Sequence, residues 1–461
     1  MLGASASGKS LLMQALSGRV QNLSITGEIL MNGVEANPAD ARNEVGYVPQ
    51  DDSLIGELSA KEMLRNTALM KRNKSREKIE KDVSNLLNSF GLNEVADNTI
   101  GTAFVRGLSG GQRRRVDIGT ELIAAPKILF LDEPTSGLDG SIAYDVLSSI
   151  KSIVKSSEGR LSIMLSIHQP NSRILELFDN IMILAGGGMI FFGTVEEASA
   201  YFSYIGFPPP VNYTPTDFYL KISDPHFGTR VDYDFEGSFY SSRYCAKLIS
   251  LLDTAKRSCG LSSIELAHKY VAKNMAAIAP NETPEFTTMT TAPSGSERIL
   301  SFTDSSRSGV QKSTFWRQYF TLVLRDVTLA ARDPSLYYLQ FVLVAGFGFL
   351  IGAAFLKLKY ESDDKMSNIT SSLLWIVMCM TYIQVFKVYH LSKANHRFHH
   401  ERANNTYDVL PYFLAELTVT ATLLLSFIPG AAIAYFMIGF PNQAFPFLLF
   451  TFWLVRNKLI H

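Results

Sequence analysis

Only three cysteines occur in 461 residues, Cys245, Cys259 and Cys379, and their spacing suits neither a disulfide framework nor a thiolate metal site. A disulfide-stapled secreted module is thereby excluded. Net charge is lacking too: 43 basic and 43 acidic side chains balance to +0, so no global basic field exists to hold a polyanion, and nucleic acid is excluded as the main partner. No secretory leader is expected before the first domain, and the first apolar span is expected to act as its own insertion signal. What the chain has in plenty is apolar residues, 47% of the total with a mean hydropathy of +0.09, more than an ordinary soluble enzyme carries.

The chain opens on Gly3-Ala4-Ser5-Ala6-Ser7-Gly8-Lys9-Ser10, a phosphate-binding loop. Glycines let backbone N–H groups turn inward onto phosphate oxygens, Lys9 reaches the β- and γ-phosphates, and the Ser10 hydroxyl sits on Mg²⁺ at a helix start. A nucleoside triphosphate is the expected ligand. Such a loop normally follows a buried strand, which Met1-Leu2 is too short to be expected to form. Lys127 to Leu131 is an apolar run of strand length ending in Asp132 and Glu133, as a buried parallel strand delivers carboxylates to its edge. Asp132 is expected in the Mg²⁺ shell and Glu133 as the base that orients and deprotonates the attacking water. The bland alternative is an acidic pair that merely ends a strand at the solvent boundary.

Leu108-Ser109-Gly110-Gly111-Gln112, followed by Arg113-Arg114-Arg115, separates this chain from other proteins with such a loop. A serine and two glycines at a helix start make a second anion site. The segment resembles the signature motif of ATP-binding-cassette (ABC) proteins. In that family it binds the γ-phosphate of a nucleotide held by another subunit, and the resemblance implies this role for Ser109, Gly110, Gly111 and Gln112. Gln50 resembles the glutamine that reports on Mg²⁺ and touches the transport domain. Asp139, in Ser136-Gly137-Leu138-Asp139, resembles the D-loop aspartate, and His168 resembles the switch histidine at the γ-phosphate. The motifs occur in the family's order. Their wording, particularly Arg106 to Arg114 and Ser166 to Ser172, resembles the G subfamily of half-transporters, which places the nucleotide domain first. The resemblance implies an α/β P-loop ATPase domain (ABC cassette) followed by an all-α transmembrane domain, with ATP and Mg²⁺ as cofactors and a homodimer or heterodimer with another half-transporter.

Hydropathy agrees with that order. Residues 336–355 form an uncharged stretch of bilayer length, 369–386 a second span and 417–440 a third with a kink at Pro429-Gly430, and 444–455 begins a fourth. Arg317, Arg325 and Arg332 before the first span, and Lys387, Lys393, Arg397 and Arg402 after the second, place the nucleotide domain in the cytosol of a multi-pass membrane protein. The expected domains are the cassette at 1–230, a tail with a Thr-, Ser- and Pro-rich linker at 231–313, an amphipathic connecting helix at 314–332 and a partial membrane domain at 333–461. His396, His399 and His400 read as a basic solvated face rather than a metal cluster. Resemblance makes Glu401 and Arg402 the coupling residues, with charge reversal at Glu401 expected to uncouple transport while sparing nucleotide binding.

Compared with the family, the sequence lacks the strand before the phosphate loop, the adenine-stacking aromatic residue and about half of the six spans, so it looks truncated at both ends. Without that strand the sheet is expected to keep an unpaired gap beside Asp132. The resemblance implies ATP-driven export of a lipid, sterol or amphipathic small molecule across a bilayer. The alternative is a truncated, catalytically inactive subunit that regulates a full-length partner; a soluble ABC ATPase is disfavoured by the spans.

Overall fold

The apolar run before Asp132 becomes a central parallel strand because neither of its faces meets water: Leu129 and Leu131 are fully buried and Phe130 nearly so. The computed structural model describes residues 1–20, 24–31, 34–35, 44–102, 105–168, 170–210, 213–223, 233–257, 313–332, 334–356, 370–372, 374–375, 395, 397–424 and 428–438. It divides into two compact units, residues 1–312 and 313–461.

Strands of the first unit are β1 Leu2–Gly3, β2 Leu30–Met31, β3 Val34–Glu35, β4 Val45–Val48, β5 Ile128–Leu131, β6 Ser162–Leu165, β7 Ile181–Ala185 and β8 Gly188–Gly193. β5 lies between β4 and β6, parallel to both, with Leu131 opposite Val48 on one side and Leu165 on the other. The three strands end level, so the loops that follow them emerge at one edge, where open parallel sheets hold their ligands. β1 pairs parallel with β7, β7 pairs antiparallel with β8, and β2 and β3 form a separate hairpin.

Two expectations fail here. Leu2–Gly3 does form the strand before the phosphate loop: Leu2 is buried opposite Ile183, Met1 O accepts from Ile167 N–H at 3.0 Å, and the Met1 amine donates to Leu165 O at 2.6 Å. Partners on both sides make up for its length. Nor is there a gap beside Asp132, because β5 is flanked by β4 and β6.

Helices α1 Lys9–Leu16, α2 Ala60–Lys71, α3 Arg76–Ser89, α4 Gly110–Leu122, α5 Gly140–Ser156, α6 Ser172–Leu175, α7 Val195–Tyr204, α8 Pro215–Ser223, α9 Phe235–Tyr240 and α10 Arg243–Arg257 complete this unit. Reciprocal capping boxes start α2 (Ser59 with Glu62), α4 (Ser109 with Gln112) and α7 (Thr194 with Glu197); each cap is worth about 1 kcal/mol over alanine. α5 buries Val146, Leu147, Ile150 and Ile153, one helical face. Phe191 of β8 gathers Tyr201, Phe202, Phe239 and Tyr244, with ring centroids 5.4 to 6.3 Å away, into a second core.

The second unit contains α11 Phe315–Arg332, α12 Pro334–Ala354, α13 Val409–Leu424, α14 Ile428–Ile438 and helical residues 397–403. The connecting segment forms a helix, α11. Gln318, Thr321, Leu322 and Arg325 are buried, whereas Trp316, Phe320, Leu324 and Val327 stand exposed. α12 packs on α14 so closely that a Cβ at Gly352 would lie 2.8 Å from Met437 Cβ, which only glycine permits.

Among the described residues no helix is both long enough and apolar enough to cross a membrane. The segment 417–440 falls on α13 and the shorter α14, which has Pro429 in its first turn, where a missing N–H costs nothing. Predicted span 444–455 and nearly all of 369–386, together with His396 and residues 258–312 of the expected tail and linker, lie outside the described residues.

Candidate active site

The loop between β1 and α1 turns through two left-handed residues, Ala6 (φ 63°) and Gly8 (φ 91°), and closes with Ser7 N–H on Ala4 O at 3.2 Å. Gly8 caps α1 without a side chain, so no side-chain oxygen occupies the helix start, the place where an anion binds. Lys9 lies buried along the loop, its Nζ donating to Gly3 O (2.7 Å) and Ala4 O (2.8 Å). Burial lowers its pKa, while the carboxylates of Glu133 and Asp132 pull the other way. The Ser7 hydroxyl is buried without a hydrogen-bond partner among the described residues.

At the level strand ends, Asp132 collects three hydroxyls. Ser10 Oγ (3.0 Å) and Ser166 Oγ (2.7 Å) donate to Oδ1, and Tyr47 OH (3.1 Å) donates to Oδ2. Burial and the Asp132 charge push the Tyr47 phenol up to about 12, so it stays a donor. Glu133 holds φ at 43°, a left-handed conformation costing a non-glycine residue about 1–3 kcal/mol. Its N–H donates to Ser166 Oγ (2.8 Å), and its Oε2 accepts from Gln50 Nε2 (3.1 Å). The oxygens of Ser10, Asp132 and the nearby Gln50 amide form the hard donor set that suits a magnesium ion.

Lys9, Ser10, Gln50, Asp132 and Glu133 are thus brought together. His168 stands exposed beyond the end of β6, with no hydrogen bond to this cluster among the described residues. Ser109 caps α4: its Oγ accepts from Gln112 N–H (3.3 Å), and Gln112 Oε1 accepts from Ser109 N–H (3.0 Å). Ser109 and Gly110 are exposed, while Gly111 packs on α5, where a Cβ would meet Ile142 Cγ2 at 2.5 Å. Asp139 caps α5 by backbone alone, and its exposed carboxylate makes no cap bond.

Three residues in this site escaped sequence reading: Tyr47, Ser166 and Arg114. Arg114, in α4, donates to the carbonyls of Pro49 (2.8 Å), Gln50 (3.2 Å), Asp132 (2.9 Å) and Pro134 (3.3 Å) and to Asp117 Oδ2 (2.9 Å). The run Arg113 to Arg115 was visible, but nothing in it marks which arginine turns inward.

This geometry agrees with three family profiles. One described as ABC transporter matches residues 1–136, and those described as ABC-2 type transporter match 168–236 and 317–456. The broad substrate specificity ATP-binding cassette transporter ABCG2 of Rattus norvegicus is 30% identical over 469 aligned residues, 99% of this chain and 67% of its own length. The chain belongs to the G family of ABC transporters. A Bos taurus ABCG2 is 31% identical with the same coverage, and the ABC transporter G family member 11 of Arabidopsis thaliana is 30% identical over 100% of this chain and 63% of its own length. The protein is therefore an ATP-hydrolysing transporter in which a P-loop cassette precedes a largely helical ABC-2 membrane domain.

In the membrane-domain unit of this G-family transporter, the two residues expected to couple part company. Glu401 is buried: Oε1 accepts from Arg325 Nη1 (2.7 Å) and Oε2 from Tyr407 OH (2.7 Å). Arg402 is exposed, its Nη1 reaching Tyr407 O at 3.4 Å. The reason is electrostatic. Arg325 is buried with its charge, and the carboxylate of Glu401 beside it offsets the cost of taking that charge out of water. Charge reversal at Glu401 is therefore expected to disrupt this unit rather than uncouple it selectively, and Arg325 cannot be counted among the free positive charges before the first span.

Proposed function

We propose that this chain is a half-transporter that exports a lipid, sterol or amphipathic small molecule, driven by ATP closed between two cassettes of a homodimer or heterodimer. The observation that carries the reading is the convergence of Lys9, Ser10, Gln50, Asp132 and Glu133 at one sheet edge, while Ser109 and Gly110 present a second, exposed anion site on α4. Residues Gly3 to Ser10 bind the triphosphate, and Lys9 compensates its charge. Ser10, Gln50 and Asp132 would hold a magnesium ion, which would supply charge neutralisation for the triphosphate. Glu133 is the base for the attacking water, His168 contacts the γ-phosphate, and Ser109 with Gly110, Gly111 and Gln112 closes on the ATP of the partner subunit beside Asp139. The active reading is favoured over the inactive regulatory one because β1 and the carboxylate cluster are both formed.

The multi-pass membrane placement rests on hydropathy and on the apolar side chains that α11 to α13 leave exposed, among them Trp316, Phe320, Leu350, Phe413 and Leu417. The cassette then lies in the cytosol, and Arg402 remains the coupling residue. In vesicles containing the full chain, ATP is expected to drive accumulation of a fluorescent sterol or lipid, and Lys9→Met is expected to abolish it together with ATP binding. Accumulation that persists in Lys9→Met would contradict the proposal.

Ser109→Arg tests the second anion site. Its expected effect is loss of hydrolysis with ATP binding retained, since the substitution places bulk and charge at the exposed cap while leaving Gly3 to Ser10 untouched. Equilibrium binding of a fluorescent ATP analogue alongside phosphate release separates the two.

A further inference from the structure

One buried guanidinium ties together the loops that frame the carboxylate pair, and the scheme above gives it no role. Arg114 lies in the second turn of α4, is 8% exposed, and donates five hydrogen bonds. Its acceptors belong to three segments far apart in sequence: Pro49 and Gln50 after β4, Asp132 and Pro134 after β5, and Asp117 on α4 itself. The carbonyls of Asp132 and Pro134 bracket Glu133, whose left-handed backbone persists only if its surroundings hold it. The Gln50 carbonyl belongs to the residue whose side-chain amide meets Glu133 Oε2 at 3.1 Å.

We infer that Arg114 is a positioning residue for ATP hydrolysis: its fork fixes the backbone on both sides of Glu133 and the backbone of Gln50 in one frame, aiming the Glu133 carboxylate at the attacking water. The inference rests on Glu133 being the base. Arginine suits the task because its planar fork serves several carbonyls at once, which the point charge of lysine cannot. Asp117 steadies the fork at 2.9 Å, and burial pushes its carboxyl up to about 7 against the pull of Arg114, so the pair is removed from bulk water. The guanidinium itself makes no hydrogen bond to the Gly3 to Ser10 loop among the described residues; the one link between them is the Ser10 hydroxyl on the Asp132 carboxylate, which Arg114 does not contact. Loss of the fork should therefore change the hydrolytic step and leave nucleotide capture alone.

The experiment compares wild type, Arg114→Lys, Asp117→Asn and Glu133→Gln as full chains in lipid. It measures steady-state ATPase rates, normalised to the number of chains that bind a fluorescent ATP analogue. Arg114→Lys is expected to lower kcat about 10- to 100-fold, the scale of a small misplacement of a reacting group, with KM for ATP within about twofold of wild type. Asp117→Asn leaves the backbone bonds of the guanidinium in place and is expected to lower kcat by less, again with KM unchanged. It carries the same test if Arg114→Lys does not fold. A merely structural role would reduce the number of ATP-binding chains and leave kcat per binding chain unchanged, which would overturn the proposal. Glu133→Gln separates the two ideas. If it hydrolyses ATP at the wild-type rate, the base assignment falls and the positioning role with it. If Glu133→Gln is inactive while Arg114→Lys and Asp117→Asn keep wild-type kcat, only the positioning role falls.

Discussion

Glu133→Gln is expected to keep ATP and to lose about 10²- to 10⁴-fold in kcat, the usual worth of a positioned general base. The substitution is nearly isosteric, and the native geometry shows what it spares. The backbone N–H of residue 133 still meets Ser166 Oγ, and Asp132 keeps the hydroxyls of Ser10, Tyr47 and Ser166. What changes is the carboxylate that takes the water's proton and accepts from Gln50 Nε2, and the amide oxygen of glutamine can still accept that bond. ATP affinity should therefore stay within about threefold of wild type, since a group acting in the transition state alone changes kcat without changing ground-state binding. Phosphate release and equilibrium nucleotide binding on the same preparation read both quantities. Wild-type turnover would assign the base to another residue.

The second large effect lies in the membrane-domain unit. Removing one member of the buried Arg325–Glu401 pair, as Arg325→Met or Glu401→Gln, is expected to destabilise that unit by about 3–5 kcal/mol because it leaves an uncompensated buried charge or an unmatched fork. Tyr407→Phe removes a single hydroxyl donor from Glu401 and should cost about 1–2 kcal/mol. The Arg325→Met/Glu401→Met double variant removes both charges and is expected to recover most of the loss, the signature of a buried pair rather than two independent contacts. Thermal or denaturant melts of the full chain in detergent, followed through the aromatic residues around Tyr407 and Tyr412, measure all four. These rings stack with centroids 5.4 Å apart and planes within 5°, so their signal belongs to the region being tested. A double variant as unstable as the worse single would rule out the pair account.

The nucleotide motifs were legible because their chemistry is carried by backbone turns and by strand ends, which short sequence patterns specify directly. Ser109 with Gly110 and Gly111 reads as a helix start, and Ile128 to Leu131 as a buried strand. Strand β1 was misjudged for a local reason: two residues cannot be recognised as a strand when what stabilises them is hydrogen bonding to β7 and to the chain around β6. Arg114 was hidden because four of its five acceptors are backbone carbonyls, up to 65 residues away, which leave no trace in side-chain composition. The Arg325–Glu401 pair spans 76 positions, and each member had a plausible exposed role of its own, one as a flanking positive charge and the other as a coupling contact. Amphipathicity marked α11 as a helix but not that Arg325 and Gln318 lie buried on it, because their partners, Glu401 and the backbone of Asp408, are far away in the chain.

The central claim is that each ATP is held by Lys9 of one chain and Ser109 of its partner, and subunit mixing tests it most directly. Lys9→Met and Ser109→Arg chains are each expected to be inactive as single preparations, because every composite site in either dimer carries a defect. Co-assembled, the two variants form mixed dimers in which both lesions fall in one site and the other site is intact, so partial ATP hydrolysis should return. If the mixture stays as inactive as its components while subunit exchange is verified by tagged pull-down, the two residues do not share a site across subunits and the account is wrong.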